Sequence, residues 1–96
     1  MHLTPKQRRY LRSLAHHRKP VAIIGTAGLT PAVVSEIDQC LMRHELIKIK
    51  INRPLKSTRK EITAEICDRT GCQWVQDIGH IAIVYRAKKD PEIIFP

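Results

Sequence analysis

Apolar positions recur along this chain in two rhythms, one near every third or fourth residue and one at every second, and their succession predicts its elements. From Thr4 onward, Tyr10, Leu11, Leu14 and Ala15 fall on one side of a helical wheel, while Lys6, Arg8, Arg9 and Arg12 fall on the other. The string Thr4-Pro5-Lys6-Gln7 supplies the start of that helix, with a hydroxyl N-cap, a proline whose missing N–H costs nothing there, and a Gln able to close a capping box. Val21 to Ile24 is a short apolar run without alternation, which predicts a strand with both faces covered or nearly so. A second helix from Thr30 to about His44 carries a stripe of Val33, Val34, Ile37, Cys40 and Leu41. Leu46 to Ile51 alternates strictly, so its isoleucines should face the helices and Lys48 and Lys50 the opposite side. That alternation argues for two layers.

After a basic turn over 52–57 with Arg53 and Lys56, Thr58 to Glu61 can cap a third helix that ends at Thr70 before Gly71 and has only a thin stripe of Ile62 and Ile66. Cys72 to Ile78 and Ile81 to Arg86 read as two strands joined at Gly79-His80 in a hairpin. The expected order is α-β-α-β-α-β-β. Strand–helix–strand units pair in parallel with right-handed crossovers, and the hairpin adds an antiparallel strand. The fold class is therefore α+β, a two-layer sandwich in which a small four-stranded mixed sheet carries helices mainly on one face. The 96 residues suffice for one domain and not for two, and the segment 88–96, with two prolines and several charges, is expected to be a loosely held tail.

Charge changes this picture from a generic domain to one with a polyanion partner. There are 17 Lys and Arg against 9 Asp and Glu, a formal net charge of +8. Residues 1–60 hold 13 of those cations and 3 of the acids, whereas 61–96 hold 4 and 6. Four cations on the first helix with no acid among them repel one another, which favours a surface that meets phosphate. No apolar stretch is long enough to span a membrane, and the first residues lack the apolar core of a signal peptide, so a cytoplasmic location is expected. Cys40, Cys67 and Cys72 include no Cys-x-x-Cys pair, so they are read as reduced, partly buried thiols, with no metal and no cofactor. No long apolar stripe is left over once the core is assigned, which predicts a monomer.

The strongest local signal is Gly25-Thr26-Ala27-Gly28-Leu29-Thr30-Pro31, which follows the first strand. Two glycines three apart let the backbone turn tightly with its amides outward, and Thr30 at the N-cap with Pro31 behind it places a helix N-terminus beside the turn. Such a turn can cradle a phosphate. The residues expected to hold a nucleic-acid backbone are therefore Gly25, Thr26, Ala27, Gly28 and Thr30, with Lys19 nearby and Arg8, Arg9, Arg12 and Arg18 extending the track. Adjacent His16 and His17 raise the alternative of a small basic ribonuclease or toxin-like enzyme, but no acid near them in sequence orients either ring. No nucleophile elbow, Walker-type loop or paired-carboxylate motif is present, so no catalytic residue is assigned. Trp74 and Tyr85 could stack on bases or fill the core. A protein partner on the sheet face around Lys48 and Lys50 is a further possibility.

Taken together, Leu11-Arg12-Ser13-Leu14-Ala15-His16, Lys19-Pro20 leading into Gly25 to Thr30, His44-Glu45-Leu46-Ile47-Lys48-Ile49-Lys50, and Ile78-Gly79 running into Val84-Tyr85-Arg86 are similar to the small bacterial YhbY-like proteins, the stand-alone form of the CRM (chloroplast RNA splicing and ribosome maturation) domain. The resemblance covers roughly residues 2 to 87. It implies a fold like the C-terminal domain of translation initiation factor three, RNA as partner, and association with precursors of the large ribosomal subunit in bacteria. It also likens the Gly25 to Gly28 turn to the loop by which KH domains hold a nucleic-acid backbone. Thr26 and Ala27 put no positive charge in that turn.

Overall fold

Each helix begins on a threonine, and in each the same short-range chemistry sets the boundary. In the computed structural model, which describes residues 2–52 and 58–96, Thr4, Thr30 and Thr58 cap α1 (Pro5–Ala15), α2 (Pro31–Arg43) and α3 (Arg59–Thr70) by accepting the N–H of Gln7, Val33 and Glu61. The first and third close full capping boxes. The hydrogen bonds with Thr58 also hold the Glu61 carboxyl below the usual carboxylate range. α3 ends where Gly71 turns left-handed, with φ of +73°. The expected turn with Arg53 and Lys56 lies outside the described residues.

The strands are β1 (Pro20–Ile24), β2 (Leu46–Ile51), β3 (Gln73–Ile78) and β4 (Ile81–Tyr85), in the sheet order β1-β2-β4-β3. β1 and β2 are parallel, as a strand–helix–strand unit requires, and the other two pairings are antiparallel. Ala22, Ile24, Ile47, Ile49, Ile51, Ala82 and Val84 form one face, closed by Ile37 and Leu41 of α2 and Ile62 and Ile66 of α3. The thin stripe of α3 is widened by two buried threonines, Thr63 and Thr70, whose hydroxyls donate to the carbonyls of Arg59 and Ile66 and so enter the core satisfied.

The opposite face differs from the two-layer expectation. α1 packs there, setting Leu11 and Ala15, with Leu3 ahead of the helix, against Leu46, Val75, Ile83 and Tyr85. Those four sheet residues are apolar and need a cover that α2 and α3, on the far side, cannot give. Two of the three helices share one face, and α1 covers part of the other.

The C-terminal segment is also held more firmly than expected. The buried Glu45 carboxylate accepts the N–H groups of Glu92 and Ile93 at 2.6 and 2.9 Å, Lys88 pairs with Glu92, and the ring of Phe95 lies 5.7 Å from that of Tyr85 and 5.9 Å from that of Tyr10. Proline and charge in this stretch signal irregular backbone, not a lack of anchors. Phe95→Ala is expected to cost about 1 to 2 kcal/mol in urea unfolding, because it removes a half-buried ring and two aromatic edges. An unchanged midpoint would mean that the segment contributes nothing.

Arg86 closes the arrangement. Its Nη1 donates to Asp38 Oδ1 at 2.6 Å and to the Thr70 carbonyl at 2.7 Å, its Nη2 to the Asp38 carbonyl at 3.1 Å, and its backbone N–H to the Glu45 carbonyl at 2.8 Å. One side chain thus ties the end of β4 to α2 and to the C-terminus of α3.

Candidate nucleic-acid interface

β1 delivers the Gly-x-x-Gly segment to one end of the sheet. There Gly28 N–H donates to the Gly25 carbonyl at 3.0 Å, closing a tight turn, and Thr30 N–H donates to the Gly28 carbonyl at 3.1 Å. Thr26 and Ala27, at the tip, are exposed, and among the described residues their amides have no hydrogen-bond partner. α2 starts immediately behind with Pro31 at its first position and no acid in its first turn, so nothing offsets the partial positive charge of its N-terminus. The turn can accept an anion on backbone donors alone.

Only one of the two glycines is required by conformation. Gly28 has φ of +74°, whereas Gly25 does not lie in the left-handed region, and a Cβ on either would meet nothing within 4 Å. Gly28→Ala is therefore expected to cost about 1 kcal/mol or more, and Gly25→Ala less than about half of that. Urea midpoints of the two variants check this. Equal losses would mean that space, not φ, selects both glycines.

The predicted basic residues divide into three groups in space. Arg9 and Arg12, exposed on α1, border a shallow groove with His16, Lys48, Gln76 and Ile83. Arg8 turns away from them: its guanidinium lies 5.4 Å from the ring centre of Trp74 at the β3 edge, and its buried Nε has no partner among the described residues. On the helical wheel Arg8 sits next to Ala15, at the margin of the apolar stripe, which explains its inward turn. Arg18 donates from Nη1 to the Leu46 carbonyl at 2.7 Å, tying the α1–β1 connection to the start of β2. Lys19 is exposed but precedes β1, whereas the turn follows it, so about 20 Å of strand separates them. Lys19 is not beside the turn. It belongs with the α1 end of the surface.

The aromatic residues and thiols also find definite places. Tyr85 is core, and burial with the neighbouring Glu45 carboxylate pushes its phenol up. Trp74 is 43% exposed, with one face under Arg8. His16 and His17 stand edge to face, 5.0 Å apart, and neither ring bonds a carboxylate among the described residues. Cys67 and Cys72 lie 3.6 Å apart at the end of α3, on the far side of the sheet from α1. Both are free thiols, and the hydrogen bond between them draws the Cys72 thiol down to about 7 and, together with burial, pushes the Cys67 thiol up.

The edges of the sheet leave apolar side chains open to solvent. β1 was expected to be covered on both faces, yet Val21 and Ile23 are 40% and 59% exposed because β1 is an edge strand and α1 does not reach it. Ile78 on the other edge is 54% exposed. The expectation that no apolar surface remains is thus corrected. Arg59 at the start of α3 is a further cation at the turn's end of the sheet: it donates to the Ile51 carbonyl and contacts the His80 ring. The α3 N-terminus looked purely structural in sequence, and nothing there pointed to such a position.

A small mixed sheet with an exposed amide turn at one end and, among the described residues, a basic helix without acidic partners at the other is the frame of a compact α+β domain with a strongly basic surface. Residues 3–86 match the CRS1 / YhbY (CRM) domain, and the chain belongs to that family. It is 40% identical over 94 residues to an "RNA-binding protein" of Haemophilus influenzae, covering 98% of this chain and 95% of that one. It is 38% identical over 91 residues to a "Probable RNA-binding protein" of Pseudomonas aeruginosa, covering 95% and 88%. A solution structure of a Staphylococcus aureus protein, 38% identical, superposes with a TM-score of 0.84 over 98% of this chain and 99% of that one.

Proposed function

We propose that this protein is an RNA-binding module without chemistry of its own, acting as a monomer in the bacterial cytoplasm on precursors of the large ribosomal subunit. The observation that carries the reading is the turn at Gly25 to Gly28, whose exposed tip amides have no hydrogen-bond partner among the described residues and lie beside an α2 N-terminus that has no acid in its first turn. One phosphate is held there by the amides of Thr26 and Ala27. Arg9 and Arg12, with Lys19 at the same end of the surface, hold others. The names of the relatives support RNA as the partner. Because aromatic residues make up 4% of the chain, affinity comes chiefly from phosphate contacts and falls steeply with salt.

The test is a sucrose gradient of cell extract containing tagged protein at low and high salt, with sequencing of the crosslinked RNA. Ala27→Asp is the variant of choice, because Ala27 is exposed and its φ is not positive, so a negative charge enters the turn without backbone strain. The expected result is co-migration with large-subunit precursors that is lost at high salt and in the variant. A protein that stays at the top of the gradient without enriched RNA would refute the ribosomal role.

A further inference from the structure

We infer that the open half of the sheet face is the seat of a single-stranded RNA segment, its bases against exposed aliphatic side chains and its phosphates on Lys48 and Lys50. This rests on the RNA-binding reading and adds to it the form of the RNA and a set of residues outside the turn and α1.

The strand register defines the surface. Ile23 pairs with Lys50, Lys50 with Ile81, and Ile81 with Ile78, so these four side chains form one row across all four strands, about 14 Å wide. Lys48, Ile83 and Gln76 form the next row. Both rows share the α1 side of the sheet, because their neighbours Ile49, Ala82 and Ile51 face α2 and α3. α1 covers the end of this face that holds Leu46, Tyr85 and Val75. The row from Ile23 to Ile78 is left open, and both of its outer isoleucines are more than half exposed.

Position and charge select the occupant. The Gly-x-x-Gly turn begins two residues after Ile23, at the open end of the face, whereas Arg9 and Arg12 border its other end. A strand that reaches both must cross Lys50 and Lys48. Among the described residues, the titratable groups facing the surface are basic: Lys48 and Lys50 from β2, Arg9 and Arg12 from α1, and His16 and His17 just after it. The acid of β3, Asp77, pairs with Ala82 and so belongs to the other side. A polyanion with apolar parts fits such a face. A duplex hides its bases and would set phosphate and ribose against the isoleucines, whereas unstacked bases of a single strand can cover them. The platform is aliphatic, so each base gains modestly and with little sequence preference.

Fluorescence anisotropy with a short labelled oligoribonucleotide, alone and annealed to its complement, tests this on the full chain. The expected result is tighter binding of the single strand, a loss of about tenfold or more for the double variant Ile23→Ser, Ile78→Ser, and an unchanged slope of log Kd against log salt, since serine removes no cation. Lys48→Ala with Lys50→Ala should instead lower that slope by about 0.7 for each lysine. A 4-thiouridine strand crosslinked to the unaltered protein should mark residues 21–23, 48–50 and 78–81. Binding of single strand and duplex alike, with the isoleucine variant neutral and crosslinks confined to the turn and α1, would overturn the inference while leaving RNA binding intact. Loss of self-association or of a protein partner in the isoleucine variant, with RNA affinity unchanged, would overturn it too. No binding of either RNA at low salt would refute the underlying reading.

Discussion

Replacing Arg9 and Arg12 together by glutamate is expected to weaken RNA binding about a hundredfold or more at low salt and to leave the fold intact. Both side chains are exposed, and neither has an acidic partner among the described residues, so their removal breaks no internal contact. Each charge-assisted bond to a phosphate contributes about 1.5 to 3 kcal/mol, and reversal adds repulsion to the loss. The salt slope should flatten by about 1.4 for two single-strand contacts. Arg8→Ala is the matched control. Its guanidinium sits over Trp74, so its loss should appear as about 1 kcal/mol of stability, with a smaller change in affinity. Titrations at several salt concentrations, with urea unfolding of each variant, separate the two effects. If Arg8→Ala loses as much affinity as the reversal, the division of α1 into a phosphate-binding flank and an inward-turned arginine is wrong.

Arg86→Met is expected to be the most destabilising single change away from the apolar core, lowering stability by about 2 to 3 kcal/mol. The ion pair with Asp38 would contribute little by itself, because Asp38 is 46% exposed and water screens it. The larger loss is at the Thr70 and Asp38 carbonyls, which lose a charged donor where the end of β4, the middle of α2 and the C-terminus of α3 meet. Lysine should not rescue the site, since one ammonium cannot reproduce the planar fork that reaches three acceptors. The reading is a lower urea midpoint at unchanged m-value for both variants. A lysine variant as stable as the parent would show that charge alone suffices there.

Most of the architecture was legible in local chemistry. Threonine caps, Pro5, Pro31 and Gly71 place the helix ends, and strict alternation in Leu46 to Ile51 assigns the isoleucines and lysines to the correct faces of β2. What escaped depends on contacts distant in sequence. The Val21 to Ile24 run looks buried on both sides, because nothing within it reveals that β1 lies at an edge and that α1 stops short of it. Glu45 reads as a surface acid until its oxygen is seen to accept two tail amides from 47 and 48 residues away. The tight turn at Gly25 to Gly28 was legible because its geometry is set within a few residues. The groove was not, since Arg12, Lys48 and Gln76 come together only when α1 crosses the sheet.

An open sheet with two free edges invites another chain to add itself as a fifth strand, and both edges of this one are blunted. β1 is five residues long and opens on Pro20, which offers no N–H to an incoming strand. β3 is interrupted by a register shift between Trp74 and Gln76, beside which Arg8 lies over the tryptophan ring. Colloidal behaviour follows from these edges. With isoleucines bare on a sheet face, the protein is still expected to stay dispersed at high concentration, because strand-on-strand growth, the route from an exposed face to fibres, is obstructed at both edges.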